Sequence, residues 1–412
     1  MKPVYLITFV LSLLLLNCTP KNTVEKKNET IMEKGTFAWD KQFLEKELEQ
    51  VITLASDDSS AMVLVVPAYQ GRVMTSTAKG PEGSSFGWIN YDLISSGEIQ
   101  PHINAFGGED RIWLGPEGGQ FSLYFKPGDE FSFENWQTPA PIDSEPWEMR
   151  SQSSNEAAFQ KQFQLTNYSG TVFDIQLDRV VRLLAKEDIV RILGTSIPDG
   201  LAVVAYESEN KMSNTGQNEW GREGGMPSVW ILGMFTPSDQ TTIAIPYKED
   251  STVEKIVTDD YFGKVPADRL QVKDGMAFFR GDGKSRGKIG MAYGPASGLA
   301  SSYSKDKGVF TVVQYTLPDE KADYVNSLWE MQDDPFNGDV VNSYNDGPLE
   351  DGGQMGPFYE LESSSPAASL PPGGSLTHTH RTFHFQGDEK ALDELAKSVL
   401  GVGIEKISSA FE

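Results

Sequence analysis

Cysteine is almost missing from this sequence: its 412 residues include one, Cys18. A single thiol closes no internal disulfide, and past residue 18 there is neither a thiolate nucleophile nor a zinc–cysteine site. After the N-terminal segment there is also no apolar run long enough to cross a bilayer. Positive charge is short as well, with 35 Lys and Arg against 59 Asp and Glu and a formal net charge of -24. A chain this acidic is a poor partner for nucleic acid, which leaves solubility as the plain meaning of the charge. Stability must then come from a packed core, and a chain of this length can bury one.

At the N-terminus Lys2 precedes an apolar run from Val4 to Leu16. That length matches the hydrophobic part of a signal peptide and is too short for a spanning helix. The run ends in Leu15-Leu16-Asn17-Cys18, which is similar to a lipobox, with Asn17 in place of the usual small residue. The expectation is a signal peptide over 1–17, lipid on Cys18, and a polar tether over 18–36 that buries too little to fold. Lipid would then hold the protein to a membrane facing the periplasm, with the outer membrane favoured. The segment 37–412 is expected to be one globular domain.

Phe37, Leu44, Leu48, Val51 and Ala55 recur at helical spacing, and Leu392, Leu395, Ala396 and Val399 form a second such stripe that stops at Gly401. Between them the period is two, most plainly where Phe173, Ile175 and Leu177 alternate with Asp174, Gln176 and Asp178. Strands are read near 62–66, 121–125, 159–165, 201–206, 229–234, 241–245, 276–279, 310–315, 359–363 and 376–385. Many strands with few helices between them predict an all-β, mainly antiparallel fold with peripheral helices at both ends.

Three clusters carry the chemistry. The first includes Asn104, Gly107, Gly108, Glu109, Asp110, Arg111, Trp113 and Glu117. Glycines admit close approach, carboxylates, amides and Arg bond hydroxyl groups, and an indole covers a sugar's C–H face. The competing reading is a glycine-rich corner in which Arg111 pairs with Asp110 or Glu117. The second holds Tyr344, Asn345 and Asp346, followed by Glu360 and Glu362, which alternation puts on one strand face opposite Tyr359 and Leu361. Either glutamate is a candidate general base, or both are solvated. The third puts His378, His380 and His384 on one face, a candidate metal site or simply three hydrogen-bonded histidines. No cofactor is called for.

The run Gly107 to Glu117, the strand Tyr359-Glu360-Leu361-Glu362 and the segment Pro372 to His378 together resemble a family of bacterial lipoproteins. That family is similar to the galactose-mutarotase-like superfamily. The resemblance covers about Phe37 to Phe385 and implies a β-supersandwich with a sugar-sized cleft across one sheet. In aldose mutarotases a late-strand glutamate takes the anomeric hydroxyl proton and a histidine donates to the ring oxygen. Carried over, this implies Glu360 or Glu362 as the base and His102 as the acid, with carbohydrate bound by the first two clusters. The alternatives are a non-catalytic interaction module and a metal-dependent enzyme using the three late histidines.

Overall fold

The alternating segment behaves as its pattern dictates: along the Val172–Leu183 strand every second residue is buried, Phe173, Ile175 and Leu177 among them. The computed structural model describes residues 32–249, 253, 255–349 and 352–412, together with Met1 and Pro3. Cys18 lies outside the described residues. Glu33–Glu412 forms one compact unit.

The fold is mainly antiparallel β. Its strands assemble into sheets of ten, five and three. In the largest, the neighbours run Leu270–Lys273, Met276–Arg280, Thr241–Pro246, Leu299–Ser304, Val309–Tyr315, Ser375–Gln386, Ala202–Asn214, Val172–Leu183, Glu156–Thr166 and Glu148–Gln152. In the five-stranded sheet the order is Gly287–Ala292, Asp339–Asn345, Tyr359–Ser364, Ser228–Phe235 and Arg111–Gly115. The smallest sheet is the meander Ile52–Ala55, Met62–Val66 and Arg72–Thr77.

The five-stranded sheet has two dissimilar faces, and this creates the site. Ile289, Met291, Val341, Tyr359 and Leu361 point inward and pack on Ile243, Ile245, Phe279, Val313 and Tyr315 of the ten-stranded sheet. Ile112, Leu114, Val229 and Ile231 do the same toward Phe159, Ile175 and Val204. The alternate residues point the other way: Arg111, Trp113, Trp230, Lys288, Tyr344 and Glu360. On the far face of the large sheet, Leu392, Leu395 and Leu400 of the Glu389–Leu400 helix cover Ala205, Phe310 and Phe383. Asp388 caps that helix by accepting from the Ala391 N–H at 3.1 Å, and Gly401 ends it at φ 77°, as its pattern predicts.

Several sequence-based boundaries move. The first helix covers Phe37–Glu47 and stops there; Ala55, read as part of its stripe, belongs to the Ile52–Ala55 strand, since a short apolar run satisfies either period. Residues 121–125, read as a strand, form turns and bends. Conversely, the glycine-rich corner contains a strand, Arg111–Gly115.

That strand is fixed at its start by a buried polar cluster between the sheets. Arg179, fully buried, donates to Asp110 Oδ1 at 2.6 Å and to Asn210 Oδ1 at 2.6 Å, while Ser208 donates to Asp110 Oδ2 at 2.7 Å. Neighbouring Glu109 accepts from the Ser76 N–H at 2.6 Å and from Tyr206 Oη at 3.0 Å. Removing one side of such a pair strands the other charge without solvent. Asp110→Ala is therefore expected to lower unfolding stability by about 3–5 kcal/mol in chemical denaturation, and Asp110→Asn, which keeps an acceptor, by less.

Candidate functional site

Register across the five-stranded sheet decides which side chains meet. Arg111 lies opposite Leu232, and Leu232 opposite Glu362; Met234 lies opposite Glu360, and Glu360 opposite Tyr344. Tyr344 in turn faces Lys288. Residues more than two hundred positions apart thus form one outward surface. Loops close over it and leave a cleft of about 640 Å³, lined among others by Glu117, Trp230, Tyr261, Lys288, Trp329 and Tyr344. It continues into a recess of about 120 Å³ that adds Arg111, Trp113, Trp136 and Glu360.

Two pairs of a basic and an acidic side chain lie on this face. Arg111 Nη2 donates to Glu360 Oε1 at 3.0 Å, with 2% and 7% of the two side chains exposed. Lys288 Nζ donates to Glu362 Oε2 at 3.0 Å, and Trp230 Nε1 donates to the same oxygen at 2.9 Å. Indole rings surround them. The Arg111 guanidinium lies 4.2 Å from the Trp113 ring centre and the Lys288 ammonium 4.7 Å from that of Trp230. Trp329 donates to Glu117 Oε1 at 3.2 Å. At the mouth, Tyr344 donates to Asp346 Oδ1 at 2.6 Å and accepts from Arg286 Nε at 3.3 Å.

Burial governs the protonation of these acids. It pushes Glu360 from 4.5 up to about 8, because loss of water outweighs Arg111 and Glu362 adds like-charge repulsion. Glu117 and Asp346 are raised by the same cause, and Asp339, which accepts from Tyr261, is pushed up to about 6. Burial acts against the Lys288 charge, but Glu362, Glu117 and Glu360 outweigh it and hold the ammonium protonated.

Of the residues singled out in the sequence, Arg111, Trp113, Glu117, Tyr344, Asp346 and Glu360 line the cleft. Glu362 is fully buried just behind it, reached through Lys288 and Trp230. Neither glutamate is solvated. The structure places the others elsewhere. Glu109 and Asp110 are bound into the inter-sheet cluster described above. Asn104 bonds Asp143 Oδ2 at 2.7 Å, and Asn345 bonds the Ser285 carbonyl at 2.9 Å; each is buried and neither lines the cleft. His102 is also outside the lining: its Nδ1 sits 2.6 Å from the Trp136 carbonyl and its ring against Phe133. The glycines serve the fold: a Cβ on Gly107, at φ 94°, would collide with the Trp88 carbonyl.

The three late histidines face inward, between the sheets. Ser363 Oγ lies 2.8 Å from both His378 Nε2 and His380 Nδ1, and burial lowers these imidazoles to about 3 and about 4, so both are neutral at neutral pH. His384 Nε2 is 3.0 Å from Glu109 and its Nδ1 2.8 Å from Thr311 Oγ1; it borders a separate cavity of about 730 Å³. Among the described residues no group of three His, Cys, Asp or Glu could hold a metal ion.

Sequence reasoning missed Trp230, Lys288, Arg286 and Trp329. Lys288 left a trace, as the only charge within the Gly287–Ala292 strand. Trp230 left none, because all eight residues of Ser228–Phe235 are buried and show no alternation. Trp329 sits in a loop without regular structure.

An outward sheet face carrying indoles and paired charged side chains, in a mainly antiparallel body of stacked sheets, defines a β-sandwich protein with a cleft on one sheet. Residues 35–411 match the family described as "Family of unknown function (DUF6786)", and the chain belongs to that family. No curated protein matches it in sequence. Among solved structures it is similar to the Slr1438 protein from Synechocystis sp. PCC 6803, at 15% identity and TM-score 0.51, over 82% of this chain and 96% of that one. A putative aldose 1-epimerase from Escherichia coli K12 shows 12% identity and TM-score 0.49, over 82% and 99%. A galactose mutarotase-like protein from Lactobacillus casei ATCC 334 shows 10% and 0.47, over 81% and 100%. At such identities the likeness is one of fold.

The raised Glu360 carboxyl has a sign that can be checked. A folded-state value above the unfolded one means the native state keeps a proton that the unfolded chain loses. Its contribution to stability is complete below about pH 4.5 and is lost as pH rises toward about 8. Relative to the wild type, Glu360→Gln should flatten the fall in stability across that window, by up to about 1.4 kcal/mol per pH unit, as read from denaturation midpoints.

Proposed function

We propose that this protein binds carbohydrate in the cleft of the five-stranded sheet. The observation that carries the reading is the joining of Trp113, Trp230 and Trp329 with the Arg111–Glu360 pair and Lys288 on a single concave surface, with Glu362 held by Lys288 just behind it. Indole faces cover the apolar C–H side of a pyranose, and charged groups at the floor bond its hydroxyls in a site with little water. The cleft volume of about 640 Å³ accommodates a mono- or short oligosaccharide.

Epimerisation at the anomeric carbon is the second reading. It is supported by Glu360, a buried carboxyl that keeps its proton into the neutral range, and by Glu362 beside Lys288. The histidine acid that the mutarotase resemblance implies is not supported, since none of the four histidines lines the cleft. A proton donor here would be a carboxyl group or the Lys288 ammonium. A non-catalytic carbohydrate-binding module fits the same absence.

Four of the eight tryptophans line this surface, so ligand entry should change intrinsic fluorescence. Titration with mono- and oligosaccharides is expected to give saturable signals matched by calorimetry. Trp230→Ala should weaken binding about tenfold, the loss of one aromatic contact of about 1.4 kcal/mol. Silence over a broad panel overturns the reading. Mutarotation followed by polarimetry, lost in Glu360→Gln and Glu362→Gln, would favour the enzyme over the module.

We further propose that the mature protein is held by lipid on Cys18, facing the periplasm. The support is the lipobox-like Leu15-Leu16-Asn17-Cys18 after an apolar run. Cells fed a labelled fatty acid should label the protein, and Cys18→Ala should carry no label.

A further inference from the structure

Among the fully buried atoms around this cleft, the spare hydrogen-bonding capacity is mostly that of donors. Among its lining residues, the buried polar atoms without a partner are Arg111 Nε and Nη1, Trp113 Nε1, Trp136 Nε1 and Ser228 Oγ. The first four are donors only, and the hydroxyl serves either way. One unpartnered acceptor, Glu362 Oε1, lies behind the lining. Leaving buried donors unsatisfied is costly, so they mark where acceptors are to arrive.

The lining carboxyl groups each receive at least one donor, although no donor reaches Glu360 Oε2 or Glu117 Oε2 among the described residues. Glu360 accepts from Arg111, Glu117 from Trp329, Asp339 from Tyr261, and Asp346 from Tyr344 and the Gly356 N–H. Arg286 stands at the mouth, exposed, with only its Nε bonded, to Tyr344, and its guanidinium 3.8 Å from the Phe262 ring centre. Among the described residues no carboxylate within 4.0 Å pairs with it. In a chain of net charge -24, this guanidinium lines the same recess as Arg111, two of whose nitrogens lack an acceptor. A planar, two-oxygen anion matches the guanidinium fork better than a hydroxyl does.

We propose that the saccharide bound here carries a carboxylate, as a uronic acid residue does, which is received in the recess that Arg286 and Arg111 both line. This rests on the carbohydrate reading above and narrows it to acidic sugars. Arg286 sets the charge preference, and the indole walls hold the ring.

The test compares four ligands by calorimetry on the folded Glu33–Glu412 protein at fixed ionic strength: galacturonate, its methyl ester, galactose and galactose 6-sulfate, each also as a short oligosaccharide where one exists. Galacturonate should bind at least tenfold tighter than galactose and the ester, and added salt should weaken it selectively. Arg286→Gln should erase that preference, bringing the affinities for galacturonate and galactose to within about twofold of each other. Equal affinity for galacturonate, its ester and galactose overturns the acidic-sugar proposal and leaves carbohydrate binding standing. Tighter binding of the sulfate than of galacturonate overturns the carboxylate assignment. No binding by any of them overturns the proposal and the carbohydrate reading together. Arg111→Lys serves as a second variant: retained folding with a tenfold or greater loss for galacturonate supports a floor contact, and unchanged affinity refutes it.

Discussion

The contact on which this site turns is the one between Arg111 and Glu360, 3.0 Å apart and separated by 249 positions in the chain. It exists because the Ser228–Phe235 strand lies between the strands that carry them, in a register that points both side chains outward. A buried pair of this kind seldom adds net stability over a well-packed apolar pair, since desolvation cancels most of the attraction. Here it is also incompletely satisfied, with two Arg111 donors idle. A fold selecting for stability alone would have filled this face with leucine. The charged floor is therefore not explained by what holds the sheets together, and it fits the proposed polar ligand.

The inward half of the same sheet shows the contrast. There polar groups are also buried, but they are bonded to one another: Asp110 to Arg179 and Ser208, Glu109 to Ser76, Tyr206 and His384. Arg179 uses all three nitrogens. Two arginines of similar burial thus differ in how completely the protein satisfies them, and Arg111, the less satisfied, borders the cleft.

This explains how far the sequence could be read. Alternation in Tyr359–Ser364 correctly put Glu360 and Glu362 on one face, since a strand bordered by polar turns leaves one interpretation of period two. The mainly antiparallel β fold and the capped C-terminal helix were legible for the same reason. The run Glu109-Asp110-Arg111 was harder. Composition alone made all three sugar ligands, yet the chain enters the Arg111–Gly115 strand there, and only Arg111 lands on the outward face. Nothing local announces that, because the partners of Glu109 and Asp110 come from strands as distant as Ala202–Asn214 and Ser375–Gln386. Trp329 and Arg286 reach the cleft from segments whose position is set wholly by tertiary contacts.

Chemistry at the site follows from the same partition. The mutarotase scheme asks for an acid and a base on opposite sides of one atom pair, and it is the acid that this chain lacks in its expected form. His378, His380 and His384 are used inside the sandwich, where burial keeps the first two neutral and Ser363 spans them. His102 is held by the Trp136 carbonyl behind the aromatic wall. What remains at the cleft is a protonated Lys288, a carboxylate behind it and a carboxyl group whose proton is retained by burial. In a dry site such groups interact with polar partners more strongly than in water, whether or not they move a proton, because low local dielectric strengthens each contact. Under the proposed carbohydrate reading, catalysis would need Glu360 to exchange its proton with a bound hydroxyl on the face it shares with Arg111.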